Sequence, residues 1–173
     1  RGKRYFINNR YRLSSRLWEF VFSPLMADVA QATVGPDAFL FHEQWVVKGA
    51  EQGMKFSWHQ DSGYVKWYDP TTNHKPYVTC WCTLDDVREK NGTVYLLPHS
   101  RAGTKGKIID HHKEEGTNDL IGYTGKDPGD PLIVPAGSTV AFDSFVFHRS
   151  GPNTTNRMRR IYLPQYSGAP IPR

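Results

Sequence analysis

The sequence predicts a mainly β fold, a sandwich or barrel of short strands with helices packed at its N-terminal end. The chain is rich in Val, Thr and aromatic residues, which favour strands, and its 12 Pro and 15 Gly supply frequent turns. Its length of 173 residues suits one domain with a buried core. We therefore expect a single domain over 1–173, with a basic leader and helices in 1–35 and the β core in 36–167.

The N-terminal part combines basic residues with a helix whose ends are marked. Arg and Lys predominate before the first acid, Glu19, which indicates a solvated leader or, alternatively, contact with an anionic partner. Ser23 suits an N-cap, Pro24 suits the first helical position, and Gly35 suits the position just past the end. We predict a helix between these signals, and a shorter helical turn before it, over 14–22.

After Gly35 the pattern changes to short runs of β-forming residues separated by turns. The predicted strands cover 39–48, 55–61, 76–86, 93–98, 132–134, 138–143, 145–150 and 159–167. The turn signals Asn91-Gly92 and Pro135-Ala136-Gly137 lie between them. The stretch 101–131 is polar and Gly-rich without a clear helix or strand pattern. We predict a mobile lid that contributes to substrate choice and not to iron or 2-oxoglutarate binding, with a disordered surface excursion as the alternative.

The stretch WHQDSG (58–63) places a histidine and a carboxylate two residues apart. In a strand, His59 and Asp61 would project from the same face while Gln60 faces away. His148, which ends the apolar run FVFH, is the candidate third ligand on a distant strand. Two histidines and one carboxylate form the donor set of non-haem Fe(II) oxygenases, because three protein ligands leave positions open for a co-substrate and O2. The alternative is a hydrogen-bonded pair without a metal.

Three ordered motifs extend this pattern: WHQD, then CWCTLDDVREKNGTVYLLPHSRAG, then VPAGSTVAFDSFVFHRSGPNTTNRMRRIYLPQYS. Together they resemble the phytanoyl-CoA dioxygenase family of Fe(II)/2-oxoglutarate oxygenases, from about residue 24 to 167. The resemblance implies a double-stranded β-helix, or jelly roll, for the β core. It also implies Fe(II), 2-oxoglutarate and O2 as cofactor and co-substrates, and hydroxylation or a related oxidation of a small organic molecule with release of succinate and CO2.

The resemblance further implies residues that hold 2-oxoglutarate. The family's carboxylate-binding arginine most often lies about eleven positions after the distal histidine, which implies Arg159, and its planar guanidinium matches a carboxylate. Arg157 has the same strand parity and is the alternative. Further contacts are expected from Trp81, Thr79, Lys48, Gln44 and Ser150. Trp81 and Thr79 have barrel core as their alternative. The chain departs from the family at Pro98-His99-Ser100-Arg101, where Pro-Gly-Ser-His is usual, so the shape of that turn is expected to differ.

The remaining histidines lack the spacing to join the three ligands. His42 lies in a predicted strand and is expected to be core or lining. His111 and His112 lie in the 101–131 stretch and are expected to be solvated. Aromatic residues follow Asp61 and are candidates for the mouth of the site: Tyr64, Trp67 and Tyr68.

Two other functions stay open: a cupin-type metalloprotein that uses the same ligands without 2-oxoglutarate, and a non-catalytic jelly-roll binding module. Arg159 favours the oxygenase over the first, and the intact set of three ligands argues against the second. No apolar run approaches the ~18 residues that span a bilayer, and no nucleic-acid motif accompanies the basic residues, so neither is expected as a partner. Cys80 and Cys82 are expected to be free thiols, which favours a cytoplasmic location. The oligomeric state is not predicted.

Overall fold

The computed structural model of the chain describes residues 4–50 and 54–171. Its strands are β1 (Arg4–Asn8), β2 (Phe39–Lys48), β3 (Phe56–His59), β4 (Val78–Thr83), β5 (Val94–Leu97), β6 (His112–Lys113), β7 (Leu120–Ile121), β8 (Asp130–Pro131), β9 (Thr139–Asp143), β10 (Phe147–Ser150) and β11 (Arg159–Ser167). Its α-helices are α1 (Ser15–Val21), α2 (Pro24–Val34), α3 (Asp61–Tyr68) and α4 (His99–Ala102). Short 3-10 turns lie at Tyr11–Leu13 and Glu89–Asn91.

Two antiparallel sheets form the core. The larger sheet has the strand order β1-β2-β11-β4-β9, and the smaller sheet has the order β3-β10-β5-β8. Strands β6 and β7 form a separate two-stranded ribbon. From β2 to β5, and again from β8 to β11, successive strands alternate between the two sheets, as they do in a jelly roll. The prediction of a mainly β jelly-roll core with N-terminal helices is confirmed.

The strand register decides which residues face the interior. On β11, Ile161 and Leu163 pack with Val94 of the smaller sheet, so their side of the strand lies between the two sheets. Arg159 and Gln165 share that side by alternation. The opposite side of the larger sheet carries Tyr162, Tyr166, Cys80 and Cys82, which pack against Met26 and Ala30 of α2.

The predicted helix has the predicted ends. The hydroxyl of Ser23 accepts a hydrogen bond from the backbone N–H of Met26, and Pro24 is the first helical residue. Gly35 follows the last turn with a φ of 100°, a left-handed value that glycine adopts without strain. The shorter turn predicted before it is α1, capped by the hydroxyl of Ser14. No helix among the described residues is long and apolar enough to cross a membrane.

The structure corrects three predicted elements. Part of the predicted basic leader, Arg4–Asn8, is β1 and pairs antiparallel with β2; residues 1–3 lie outside the described part of the chain. The predicted strand 55–61 ends at His59, because Asp61 begins α3. The predicted strand 132–134 is replaced by β8 at Asp130–Pro131, and Val134 forms only an isolated bridge to Val87, since Pro135 has no N–H with which to extend the pairing.

The stretch 101–131 packs against the smaller sheet. It contains the end of α4, the β6–β7 ribbon and β8. Tyr123 contacts the rings of Trp58 and Phe147, whose positions next to His59 and His148 place them on the outer side of that sheet. The expectation that this stretch lacks structure was therefore wrong, whereas its role as a lid stays a prediction.

Candidate metal centre

His59, Asp61 and His148 converge in the interior of the sandwich. The antiparallel pairing of β3 with β10 places His59 opposite His148, with ring centroids 4.2 Å apart. The Oδ1 atom of Asp61 lies 3.9 Å from Nε2 of His59 and 3.5 Å from Nε2 of His148. Within 4–50 and 54–171, these three residues form the one cluster of His, Cys, Asp or Glu that could hold a metal ion.

Hydrogen bonds on the far side of each side chain orient it. Nδ1 of His59 lies 2.7 Å from the carbonyl of Ser57, and Nδ1 of His148 lies 3.1 Å from the carbonyl of Val146. A ring that donates from Nδ1 to a carbonyl presents the lone pair of Nε2, which is the tautomer that a metal ligand needs. Both Nε2 atoms face Asp61.

The carboxylate of Asp61 is held by its other oxygen. Oδ2 accepts hydrogen bonds from the hydroxyl of Thr79 at 2.5 Å and from the amide of Gln165 at 3.0 Å. The amide of Gln165 also donates to the oxygen of Thr79 at 3.0 Å. Oδ1 is left facing the two histidines, so the arrangement favours a carboxylate that binds a cation through one oxygen.

The charges of the three groups suit a cation. Burial, together with the neighbouring His148, lowers the pKa of His59 to about 3, so this ring is neutral near neutral pH. Burial acts to raise the pKa of Asp61, but the charge and hydrogen bond of His148 prevail and hold it below its usual range. Burial acts to lower the pKa of His148, but the charge of Asp61 raises it above its ordinary value. A buried, ionised carboxylate thus lies beside two imidazoles, a donor set for a divalent metal.

A second polar feature lies in the interior, away from these three residues. Arg159 on β11 pairs with Lys48 on β2, and both side chains are buried. Nη2 of Arg159 donates to the carbonyl of Gly92 at 2.9 Å, whereas its Nε and Nη1 have no hydrogen-bond partner among the described residues. Burial lowers the pKa of Arg159 to about 10, which leaves the guanidinium charged at neutral pH. A buried cation with unpartnered N–H groups requires an anion or water beside it.

The residues expected around 2-oxoglutarate fall into two groups. Lys48 donates to the hydroxyl of Ser150 at 2.7 Å and to the carbonyl of Gly151, and the indole ring of Trp81 lies 5.8 Å from the guanidinium carbon of Arg159. Gln44 lies on the same side of β2 as Lys48 but earlier in the strand, opposite Leu163. Thr79 lies at the other end of the interior, on Asp61.

The neighbouring arginines differ from Arg159. Arg157 is exposed, and Arg160 is exposed and forms two hydrogen bonds with the carboxylate of Asp85, at 2.6 and 3.0 Å. Of the three arginines in the segment RMRR, only Arg159 is buried. The geometry therefore supports Arg159, and not Arg157, as the residue that could bind an anion.

Sequence reasoning missed one residue of the site and misjudged another. Gln165 shares the strand side of Arg159, but its contact with Asp61 depends on the pairing of β11 with β4, which no local pattern reveals. His111 was expected to be solvated, but its ring is half-buried and accepts a hydrogen bond from the backbone N–H of Gln60. His112 is exposed, as expected, and His42 is buried opposite Gln165.

Two further expectations concern the surroundings of the site. The ring of Tyr64 meets His59 edge-on at 5.4 Å between centroids, whereas Trp67 and Tyr68 are exposed. His99, which stands where the family has a glycine, is the first residue of α4 and bonds to Asp143 at 3.0 Å. The turn is therefore helical at this residue and requires no left-handed conformation there.

Comparison with known proteins decides the family. The model of the family described as phytanoyl-CoA dioxygenase (PhyH) matches residues 3–161. The chain belongs to the phytanoyl-CoA dioxygenase family. One family relative is the mouse protein named "Phytanoyl-CoA dioxygenase, peroxisomal", which is 27% identical over 158 residues, 87% of this chain and 45% of the relative.

Other relatives carry different names. A probable alpha-ketoglutarate-dependent hypophosphite dioxygenase of Stutzerimonas stutzeri is 32% identical over 126 residues, 68% of this chain and 41% of the relative. An L-proline trans-4-hydroxylase of Streptomyces griseoviridis is 25% identical over 162 residues, 83% of this chain and 60% of the relative. The chain thus spans about half the length of the curated relatives it matches.

Solved structures agree on the fold. The non-haem monooxygenase ThoJ, in its apo form, superposes with a TM-score of 0.76 at 21% identity, over 93% of this chain and 58% of that one. EvdO2 from Micromonospora carbonacea var. aurantiaca, complexed with 2-oxoglutarate, superposes with a TM-score of 0.71 at 24% identity, over 94% of this chain and 66% of that one.

Proposed function

We propose that residues 1–173 form one oxygenase domain, an Fe(II)- and 2-oxoglutarate-dependent dioxygenase that hydroxylates a small organic substrate and releases succinate and CO2. One observation carries the proposal: the same interior holds a buried His-Asp-His cluster and a buried arginine with unpartnered N–H groups. A metal site alone is compatible with many functions. A metal site together with an unsatisfied internal cation fits a co-substrate with two carboxylates.

The donor set fits Fe(II). His59 and His148 would each offer Nε2, because their Nδ1 atoms lie against carbonyl oxygens, and Asp61 would offer Oδ1, because Oδ2 is held by Thr79 and Gln165. Bound Fe(II) would supply the centre at which O2 and the 2-oxo acid react. The protein's part is to hold three ligands on one side and to leave the other side accessible.

The residues around Arg159 fit the far carboxylate of 2-oxoglutarate. Nε and Nη1 of Arg159 retain N–H groups that need an acceptor, and a carboxylate supplies acceptor oxygens and the opposite charge. Lys48 and Ser150 contribute a second charge and a hydroxyl beside it, and Trp81 packs against the guanidinium. We assign these residues to 2-oxoglutarate binding, together with Gln44, which lies earlier in β2. Thr79, which was expected in this group, is assigned to the positioning of Asp61.

The two other functions account for fewer observations. A cupin-type metalloprotein without 2-oxoglutarate would have no need of a charged, unpartnered guanidinium in its interior, because burying a charge is costly unless a ligand compensates for it. A binding module without catalysis would have no need of two histidines whose Nε2 atoms converge on one carboxylate. The names of the relatives support a small-molecule substrate, but they differ too much to identify it.

The location and the partners are also proposals. Cys80 and Cys82 are buried and free, as a cytoplasmic location would favour. Neither nucleic acid nor a membrane is proposed as a partner, because the basic residues near the N-terminus belong to no recognised binding motif.

The proposal is tested by 2-oxoglutarate turnover. Succinate formation by the wild-type chain is measured with Fe(II), O2 and a panel of small organic acids, amino acids and their phosphonate analogues, beside His148→Ala as the inactive control. We expect succinate above that control, with the largest stimulation by molecules of the substrate's class. Iron-loaded wild-type protein that forms no more succinate than His148→Ala, with every member of the panel, would refute the proposal.

A further inference from the structure

We infer that the segment 107–122 is a clasp that fixes the peptide between the metal ligands, and that Gln60 and His111 are positioning residues of the metal centre. The inference rests on the proposed function, since it assigns these residues a role toward the same metal. It gives the middle part of the 101–131 stretch a role in metal binding, which the expectation of a lid for substrate choice did not include. The clasp means, from here on, residues 107–122.

The clasp covers the free edge of the strand that carries the first ligand. β3 is the outermost strand of the smaller sheet, so one side of its backbone has no strand partner within the sheet. The backbone N–H of Gly122 donates to the carbonyl of Trp58 at 2.9 Å, and Nε2 of His111 accepts from the N–H of Gln60 at 2.9 Å. These two bonds satisfy edge groups on either side of His59 that would otherwise need water.

Gln60 ties the clasp to the peptide between His59 and Asp61. Its side chain is fully buried and points away from the metal ligands. Its amide nitrogen donates to the carbonyls of Lys107 at 2.9 Å and Phe145 at 2.6 Å, and its amide oxygen accepts from the N–H of Ile109 at 2.7 Å. Both amide hydrogens and the amide oxygen have partners, which explains why a buried glutamine stands here.

The contact with Phe145 joins the third ligand to the same network. Phe145 lies in the turn between β9 and β10, just before His148. Through one side chain, Gln60 therefore connects the segment of His59 and Asp61, the segment of His148, and the clasp. A shift of any of these three segments would change the separation of the ligand atoms.

His111 fixes the clasp in place. Its Nδ1 donates to the carbonyl of Ile109 at 2.7 Å, so its Nε2 is free to accept from Gln60. The ring fills a slot between α3 and the end of β7, where a Cβ added to Gly63 or Gly122 would collide with it. Gly63 lies two residues after Asp61, so the ring contacts the chain on both sides of that ligand.

These contacts predict that the loss of Gln60 or His111 lowers the affinity for the metal. Neither Gln60 nor His111 touches the ligand atoms of the site, so both act through the position of the peptide. Residues that orient metal ligands typically change metal affinity by about 10–100-fold when they are lost. Arg159 lies at the other end of the interior, so 2-oxoglutarate contacts should be largely unaffected.

The test compares His111→Ala with His112→Ala, its exposed neighbour and matched control. Anaerobic titration with Fe(II) and, separately, with Co(II) gives the metal Kd of each folded variant. We expect His111→Ala to raise this Kd about tenfold or more, within the usual range for such residues, and His112→Ala to leave it within about twofold. Hydrogen exchange at the amide of Gln60 in the metal-free protein should be faster in His111→Ala alone.

A second pair of variants separates position from simple folding. In place of histidine, glutamine can present an amide oxygen near the position of Nε2, whereas the shorter asparagine reaches only the position of Nδ1. His111→Gln should therefore keep the metal Kd near wild type, and His111→Asn should raise it as His111→Ala does. If His111→Ala does not fold, the comparison of His111→Gln with His111→Asn still tests whether His111 affects metal affinity through its bond to Gln60.

If the wild-type chain binds metal, either of two outcomes would overturn the inference. One is a folded His111→Ala that binds both metals as tightly as His112→Ala, and the other is equal metal affinity of His111→Gln and His111→Asn. A wild-type chain that binds these metals but never turns over 2-oxoglutarate would refute the proposed function alone. The metal titrations would still test whether the clasp positions the metal ligands. A wild-type chain that binds neither metal would overturn both.

Discussion

At the scale of single residues, the carboxylate of Asp61 depends on side chains that do not face the metal. Its Oδ2 is bound by the hydroxyl of Thr79 and the amide of Gln165, which also bond to each other. A carboxylate held this way has one oxygen and one direction left for a cation. The metal centre thus extends from the smaller sheet, which supplies the histidines, to β4 and β11 of the larger sheet.

Removing the hydroxyl of Thr79 should weaken metal binding. Thr79→Val keeps the shape of the side chain but deletes the hydrogen bond to Asp61, so we expect the Fe(II) Kd to rise about tenfold, the lower end for residues that orient a ligand. Thr83→Val is the matched control, because Thr83 lies on the same strand and its hydroxyl bonds instead to the carbonyl of Pro135. Equal iron affinity of the two variants in anaerobic titration would contradict the role of Thr79.

Arg159 should matter for 2-oxoglutarate and not for iron. Loss of a desolvated charge-assisted pair typically costs about 2–5 kcal/mol, so Arg159→Ala should raise the apparent KM for 2-oxoglutarate by more than tenfold. The exposed Arg157 provides the control, and Arg157→Ala should leave that KM unchanged. The opposite pattern, an effect of Arg157→Ala and none of Arg159→Ala, would mean that the arginine is assigned two residues too late.

The same arginine gives a test of stability. Because Nε and Nη1 of Arg159 lack partners, the free protein gains little from this buried charge. Arg159→Met should therefore keep the free energy of unfolding without 2-oxoglutarate within about 3 kcal/mol of wild type, the upper net worth of the one charge-assisted bond lost to Gly92. Denaturant unfolding measures this, and a loss well beyond that amount would show that Arg159 is chiefly structural.

At the scale of elements, the stretch 101–131 divides into an anchored part and a ribbon. Backbone groups of Lys107 and Ile109 bond to the buried side chain of Gln60. The β6–β7 ribbon continues to a turn, where the partly buried Glu114 forms an ion pair with the exposed Lys55 at 3.3 Å. Residues 113–119 carry no apolar side chain, so the turn has the character of a segment that opens locally.

If the stretch serves as a lid, the part that moves is the turn of the ribbon, residues 113–119, while both ends of the clasp stay anchored. We propose that hydrogen exchange in residues 113–119 slows when the true substrate binds, with little change on 2-oxoglutarate alone, and that residues 107–111 show no such response. A deletion of 105–119 would remove the contacts of Gln60 as well, so the comparison of the two exchange regions is the sharper test. Unchanged exchange in 113–119 with bound substrate would exclude the lid.

At the scale of the whole molecule, both candidate sites lie between the two sheets. A metal held by β3, α3 and β10, with Asp61 tied to the larger sheet, joins elements that are distant in the chain. A ligand that binds only the folded state stabilises it by RT ln(1 + [L]/Kd), about 2.7 kcal/mol at a hundredfold excess over Kd. Co(II) should therefore raise the Tm of the wild-type chain. In His148→Ala this rise should be largely lost, and an equal rise in both proteins would contradict the ligand assignment.

How much of the fold and of the candidate site could be predicted from the sequence depends on how local each signal is. The ends of α2 were predicted because Ser23, Pro24 and Gly35 act within one turn of the helix, and β2 and β11 were predicted because their β-forming runs are long. Strand alternation found His59 and Asp61 even though Asp61 begins a helix. The strand-like apolar run before His148 indicated the third ligand, and the resemblance to the family indicated Arg159.

The rest depends on contacts between distant parts of the chain. The bond of Gln165 to Asp61 follows from the register of β11 and β4, and the burial of His111 follows from a slot between α3 and β7. A polar, Gly-rich stretch such as 101–131 has no periodic apolar side, so its packing on Trp58 and Phe147 left no sign in the sequence. β1 was missed because a short run among basic residues shows no clear alternation.

The measurement that tests the central claim most directly is an anaerobic titration of the wild-type chain with Fe(II), followed by 2-oxoglutarate and monitored by visible absorption. The account predicts one Fe(II) per chain and a charge-transfer band that appears only when both are present. His148→Ala should bind no stoichiometric iron, and Arg159→Ala should bind iron but require a much higher 2-oxoglutarate concentration for the band. Stoichiometric iron binding by His148→Ala, or a wild-type chain whose bound iron gives no band at saturating 2-oxoglutarate, would contradict it.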